Sequence, residues 1–169
     1  MSETVYQSYA LHENESEIST VSSRNQAASV SKLYELRAKH PKNVLISYLN
    51  INSIRNKFDS LEKLIRNKVD VLIVAESKLD NSFPESQFLM AGYRRPFRLD
   101  ISENSGGILF YVNECIPSRR RKEFKFSAGI QIIPVELNLR KQKWLIFGIY
   151  MPKKNMLQEF LSELTKAID

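Results

Sequence analysis

Apolar residues are sparse at the start of this chain and then arrive in short bursts. From Ser2 to about Ala28 the sequence is dominated by Ser, Glu, Gln, Asn and Thr, a mixture that cannot bury enough surface to offset its conformational entropy. Residues 1–29 are therefore expected to form a disordered polar leader. Over 30–41, Leu33, Leu36 and Ala38 are spaced toward one face, which predicts a short helix ended by Pro41. Val44 to Leu49 follows, rich in strand formers. Phe58, Leu61, Leu64 and Ile65 then recur at helical spacing within Ile54–Asn67, with Ser53 available as N-cap. The nearly unbroken apolar run from Val69 to Ala75 predicts a strand covered on both faces and ending at Glu76.

Between Lys78 and Asp100 the breakers Asn81, Pro84 and Gly92 predict loop, with at most a short strand leading to Tyr93. Three further strands are expected over Gly107–Val112, Ile130–Leu139 and Lys143–Tyr150, with turns around Pro117–Arg121 and at Arg140-Lys141-Gln142. A closing amphipathic helix is expected over Met156–Ile168, where Met156, Leu157, Phe160, Leu161 and Leu164 share one side. The order strand, helix, strand, loop, several strands, helix implies a mixed α/β (α+β) layered fold with a helix packed on a sheet.

Composition narrows the class. With 169 residues, 43% hydrophobic and 26% charged, the chain is sized for one globular domain. A net charge of +6 and a pI near 9.4 suit an acidic partner such as DNA, since Lys and Arg displace counterions from a phosphate backbone. The single cysteine, Cys115, excludes an intrachain disulfide and a Cys-based zinc site, and fits a reducing compartment. Met1 to Leu11 lacks a basic start followed by an apolar run, and no stretch approaches the ~20 apolar residues of a membrane span. The expectation is a soluble, intracellular protein with no membrane partner.

The informative polar residues are those that close apolar strands. Asn50 and Asn52 stand where the first strand runs out, and Glu76 where the second does. Strand ends are where open α/β sheets expose groups on fixed supports. Magnesium keeps several waters and shares substrate phosphate oxygens, so one carboxylate, Glu76, can suffice as its protein ligand. Asn50 or Asn52 could orient a phosphate oxygen or a metal-bound water without adding negative charge. The plain alternative is two turn-capping asparagines and a solvated glutamate.

Five blocks extend this. They are Leu49-Asn50-Ile51-Asn52-Ser53-Ile54-Arg55-Asn56-Lys57-Phe58, Ala75-Glu76-Ser77-Lys78-Leu79-Asp80, Gly92-Tyr93, Ser105-Gly106-Gly107 through Tyr111-Val112, and Ile149-Tyr150-Met151-Pro152. In that order over Val44–Asp169 they resemble the endonuclease/exonuclease/phosphatase superfamily, and most of all the apurinic-type endonuclease of jockey-like non-LTR retrotransposons. The resemblance implies a four-layer αββα sandwich, of which residues 42–169 would be the N-terminal portion. It implies catalytic roles for Asn50, Glu76 and Tyr150, with Glu76 binding Mg2+ (or Mn2+), Asn52 beside it, and Tyr150 contacting phosphate. The implied reaction is metal-assisted phosphodiester hydrolysis. In retrotransposons it nicks the chromosomal target so that its 3′ end primes reverse transcription, which places the protein in the nucleus.

The departures matter as much. Ala75-Glu76-Ser77 stands where the retrotransposon pattern has Ser-Glu-Thr, and Lys153 where it has Pro or Asn. The family's Asp-x-Asn element, later Asp and Ser-Asp-His element do not follow Tyr150. Only His12 and His40 exist, neither placed to serve as base, and the sole Asp after Asp100 is Asp169. The expectation is a truncated, weak or inactive endonuclease, prone to self-associate through uncovered sheet surface. The alternatives are a non-catalytic DNA- or protein-binding remnant and, ranked last, a phosphatase relative.

Two basic clusters are candidate DNA contacts, Arg94-Arg95 with Arg98, and Arg119-Arg120-Arg121-Lys122 in an expected loop, although solvated turns explain them as well. Trp144 reads as core, Phe124 and Phe126 as strand residues, Ser105-Gly106-Gly107 as a strand-starting turn, and Cys115 as incidental.

Overall fold

A computed structural model describes residues 31–124, 126, 129–153 and 156–168. The leader expected over 1–29 lies outside the described residues. Helix α1 covers residues 31–39. It is followed by β1 (Ile46–Asn50), α2 (Phe58–Ile65), β2 (Val71–Ala75), a 3-10 turn (Glu85–Phe88), β3 (Phe97–Leu99), β4 (Ile108–Val112), β5 (Ser118–Arg120), β6 (Gln131–Leu139), β7 (Gln142–Tyr150) and α3 (Leu157–Ile168).

The strands make two sheets, ordered β1-β2-β4-β3 and β5-β6-β7. β1 and β2 are parallel and the remaining pairs antiparallel. Side-chain alternation then builds the layers. On one face of the first sheet Leu72, Val74, Leu109 and Tyr111 pack with Leu61 and Ile65 of α2. On the other face Val71, Ile73, Ile108, Phe110 and Val112 pack with Ile133, Val135, Leu137, Trp144 and Ile146 of the second sheet. The sheets come so close that a Cβ on Gly148 would stand 3.0 Å from Phe110 Cδ2 and 3.1 Å from Ile73 Cγ2. Outside the second sheet, Phe126 contacts both Phe147 of β7 and Phe160 of α3. The fold is thus a mixed α/β arrangement in the order helix, sheet, sheet, helix.

Helix α1 is pinned through Arg37, whose guanidinium donates to the carbonyls of Lys68 and Asn43, each at 3.0 Å, and to the Asp70 carboxylate. The β6–β7 hairpin turns at Arg140 and Lys141, both with positive φ (49° and 68°), as two-residue hairpins require.

Four expectations need correction. The segment read as loop contains β3, too short for a period to register, with Arg98 held by Asp100 at 3.2 and 2.7 Å and by the Phe83 carbonyl at 3.2 Å. The expected turn at Pro117–Arg121 contains β5, whose charged residues looked unlike a strand. Glu136 of β6 neutralises it from directly across, accepting from Arg119 at 3.0 and 3.2 Å and from Arg121 at 2.5 Å. Helix α2 starts at Phe58 without a side-chain cap, and Ser53 instead accepts from Arg55 Nε at 3.3 Å. Phe124 and Phe126 lie outside strands and pack edge-on against Phe147.

Candidate active site at the rim of the sandwich

Parallel pairing brings the ends of β1 and β2 to one rim, with Asn50 beside Ala75 and Glu76 next in the chain. β7 ends there too, because Tyr150 pairs with Gln131, the first residue of β6. Alternation sends Asn50, like Ile46, toward the second sheet, and Tyr150, like Trp144 and Ile146, toward the first. They meet on one atom. Asn50 Nδ2 donates to Glu76 Oε1 at 3.0 Å, and the Tyr150 hydroxyl donates to the same oxygen at 2.8 Å. Glu76 Oε2 accepts no hydrogen bond among the described residues.

Strict alternation would turn Glu76 away from that meeting point, since Ala75 already occupies the inner face. A left-handed backbone at Glu76, φ 53°, breaks the alternation. Asn52 (46°), Ser53 (78°) and Lys78 (52°) share this unfavourable region. Each non-glycine residue there costs on the order of 1–2 kcal/mol. Main-chain bonds hold the arrangement: Ser53 N to Glu76 O at 2.8 Å, Ile54 N to Ser77 O at 3.1 Å, Ser77 N to Gly107 O at 3.2 Å and Lys78 N to Gly106 O at 2.9 Å. Such clustering of strain is characteristic of sites rather than of scaffold.

Asn52 does not touch Glu76. Its backbone N–H donates to Asn50 Oδ1 at 3.2 Å, and its side-chain oxygen accepts from Lys78 Nζ. Lys57 Nζ donates to the Ile51 carbonyl at 2.8 Å and the Asn52 carbonyl at 3.3 Å. Neither lysine makes an ion pair among the described residues, so the rim carries positive charge near Glu76. Sequence reading missed both lysines. The signal available was their position within the two polar blocks that bracket Glu76.

Burial, then the hydrogen bond and charge of Glu76, push the Tyr150 hydroxyl up to about 12. Burial and the same carboxylate raise Tyr48, which donates to the Ile149 carbonyl at 3.0 Å. Both phenols are donors at neutral pH. Among the described residues no three His, Cys, Asp or Glu side chains gather to hold a metal ion. His40 precedes β1 and so lies at the opposite end of that strand from Asn50.

The arginine clusters are not brought to this rim. Arg94 donates from its guanidinium to the Ile116 and Glu114 carbonyls at 3.2 and 2.9 Å, beside the far end of β4. Arg95 is exposed, 4.0 Å from Glu85. Arg119 and Arg121 are engaged by Glu136, and Arg120 donates to the Arg98 carbonyl at 2.9 Å. Ser105-Gly106-Gly107 is a turn leading into β4, with positive φ at both glycines (68° and 89°). Cys115 is exposed and unpaired. No helix among the described residues is long and apolar enough to cross a membrane.

No family model matches the chain. No curated protein matches it. Among solved structures it is similar to a 3′-5′ exonuclease (NExo) from Neisseria meningitidis, at 16% identity and a TM-score of 0.46, over 73% of this chain and 50% of that one. The chain therefore spans half the length of that structure.

Proposed function

We propose that this chain carries the Glu76 part of a magnesium-dependent DNA-nicking site of the retrotransposon endonuclease type. The observation that supports this most is the convergence of Asn50 and Tyr150 on one oxygen of Glu76, with the other oxygen lacking a partner among the described residues. A carboxylate oriented by two neutral donors is a hard oxygen ligand, which fits an ion that needs few protein ligands. When bound, magnesium or manganese would supply positive charge for the phosphodiester and a more acidic water. Asn50 fixes the carboxylate without repelling phosphate. The single O–H of uncharged Tyr150, which donates to Glu76 in the free chain, would turn to a phosphate oxygen near the scissile bond when DNA is bound. Asn52, Lys57 and Lys78 hold the adjoining backbone phosphates in place.

The one histidine among the described residues, His40, stands at the opposite end of β1 from Asn50, so no His–carboxylate pair accompanies Glu76 there. The chain by itself is therefore slow, short of general acid–base catalysis worth roughly 10²–10⁴ in rate. Mn2+ added to the labelled protein is expected to broaden the NMR signals of the Asn50 side-chain amide and of Glu76, and Glu76→Gln to abolish that broadening. Broadening unaffected by the substitution, or none at millimolar ion, would overturn the metal role. In a plasmid-nicking assay with Mg2+, Glu76-dependent turnover at ordinary enzyme rates would refute the predicted slowness.

That no three His, Cys, Asp or Glu side chains gather among the described residues favours a second reading, a non-catalytic DNA-binding module using Lys57, Lys78 and the exposed Arg95. Salt-dependent DNA binding that survives Glu76→Ala and ignores divalent ions would select it.

A further inference from the structure

The interface between the sheets is mostly apolar, and apolar contact is non-directional. Something else must fix how far β7 reaches along the first sheet, and therefore whether Tyr150 meets Glu76. Gln131, opposite Tyr150 in the β6–β7 ladder, crosses to the first sheet. Its Oε1 accepts the Gly107 N–H at 2.7 Å. Its carboxamide lies against Gly106 so closely that a Cβ there would stand 2.4 Å from Nε2 and 2.7 Å from Oε1. The same two glycines, through their carbonyls, accept the N–H groups of Lys78 and Ser77, the residues just after Glu76. A continuous set of hydrogen bonds thus runs from Gln131 through Gly106-Gly107 to the backbone beside Glu76, parallel to the direct Tyr150–Glu76 bond.

We propose that Gln131 is a positioning residue of this site, locking the second sheet to the Gly106-Gly107 turn so that the Tyr150 hydroxyl is held on Glu76. Its importance for chemistry rests on the function proposed above, but the lock itself is a statement about two groups and is tested without activity. Tyr93 serves as the control, since its hydroxyl donates to the Val69 carbonyl at 2.5 Å, beneath α2 and away from Gln131. It therefore reports on the integrity of the fold.

The experiment is a double-mutant cycle on the whole chain, read as the folding equilibrium constant from chemical denaturation. Tyr150→Phe, which removes only the hydroxyl that donates to Glu76, is expected to lower that constant about fivefold in the parent and to leave it unchanged in Gln131→Ala, where the hydroxyl is no longer held. Tyr93→Phe is expected to lower it equally in both backgrounds. Gln131→Glu, which keeps the acceptor oxygen, is expected to preserve the full Tyr150→Phe loss. An undiminished Tyr150→Phe loss in Gln131→Ala would overturn the proposal. So would an equal shrinkage of the Tyr93→Phe loss, which would make Gln131 a support of the whole fold. Absence of Mn2+ binding at Glu76 would remove the nuclease reading and leave this cycle unchanged.

Discussion

A single torsion decides whether Glu76 belongs to the helix side or the inter-sheet side of its strand. Its left-handed φ of 53° is what lets Asn50 and Tyr150 share its Oε1. Tyr150→Phe removes one of the two donors and should cost about 1 kcal/mol in a chemical-denaturation series. The pH dependence has a definite sign. Tyr150 is raised from 10.0 to about 12 in the folded chain, so the unfolded chain loses that proton first. Its stabilising contribution is complete below about pH 10 and is lost as pH rises toward 12. Melting temperatures measured from pH 8 to pH 11 should therefore decline above about pH 10, and less steeply in Tyr150→Phe. An equal decline in both proteins would show that Tyr150 does not hold its proton above the ordinary tyrosine value.

At the scale of elements, β7 is the strand that carries the site's second wall. Its inner face is Trp144, Ile146, Gly148 and Tyr150, and Gly148 is the point at which the sheets nearly touch. Gly148→Val adds volume against Phe110 and Ile73, with an expected cost of about 1–3 kcal/mol from overpacking. A loss smaller than that in thermal melts would mean the sheets can separate freely there. β5 gives the opposite lesson. Its arginines looked like a solvated, DNA-facing turn, yet Arg119 and Arg121 close over Glu136, whose side chain is only 7% exposed, and hold its carboxyl below the usual range. Lys57 and Lys78, outside the arginine clusters, make no ion pair among the described residues and keep their charge near Glu76.

For the whole molecule, the two sheets place their edge strands β1 and β7 on the same side, where Tyr48 of β1 donates to the Ile149 carbonyl. β7 is nine residues long, apolar and without proline, a composition that invites pairing with another chain. Self-association is expected in light scattering during size-exclusion chromatography. Leu145→Lys, across from Glu136, should reduce it. A parent protein that elutes as a monomer at all concentrations would contradict this.

The pattern of apolar runs determined β1, β2, β4, β6, β7 and the helices, because burial imposes periods of two and 3.6 that are written locally. It also marked Asn50, Asn52 and Glu76, since polar residues that stop buried strands are conspicuous in sequence, whereas Tyr150 was singled out only by the family resemblance. What only the tertiary structure decided was pairing: which arginines Glu136 neutralises, which lysines stay unpaired, and which sheet Gln131 grips. Those contacts join residues far apart in the chain, and their energies depend on distance and burial that no local period records.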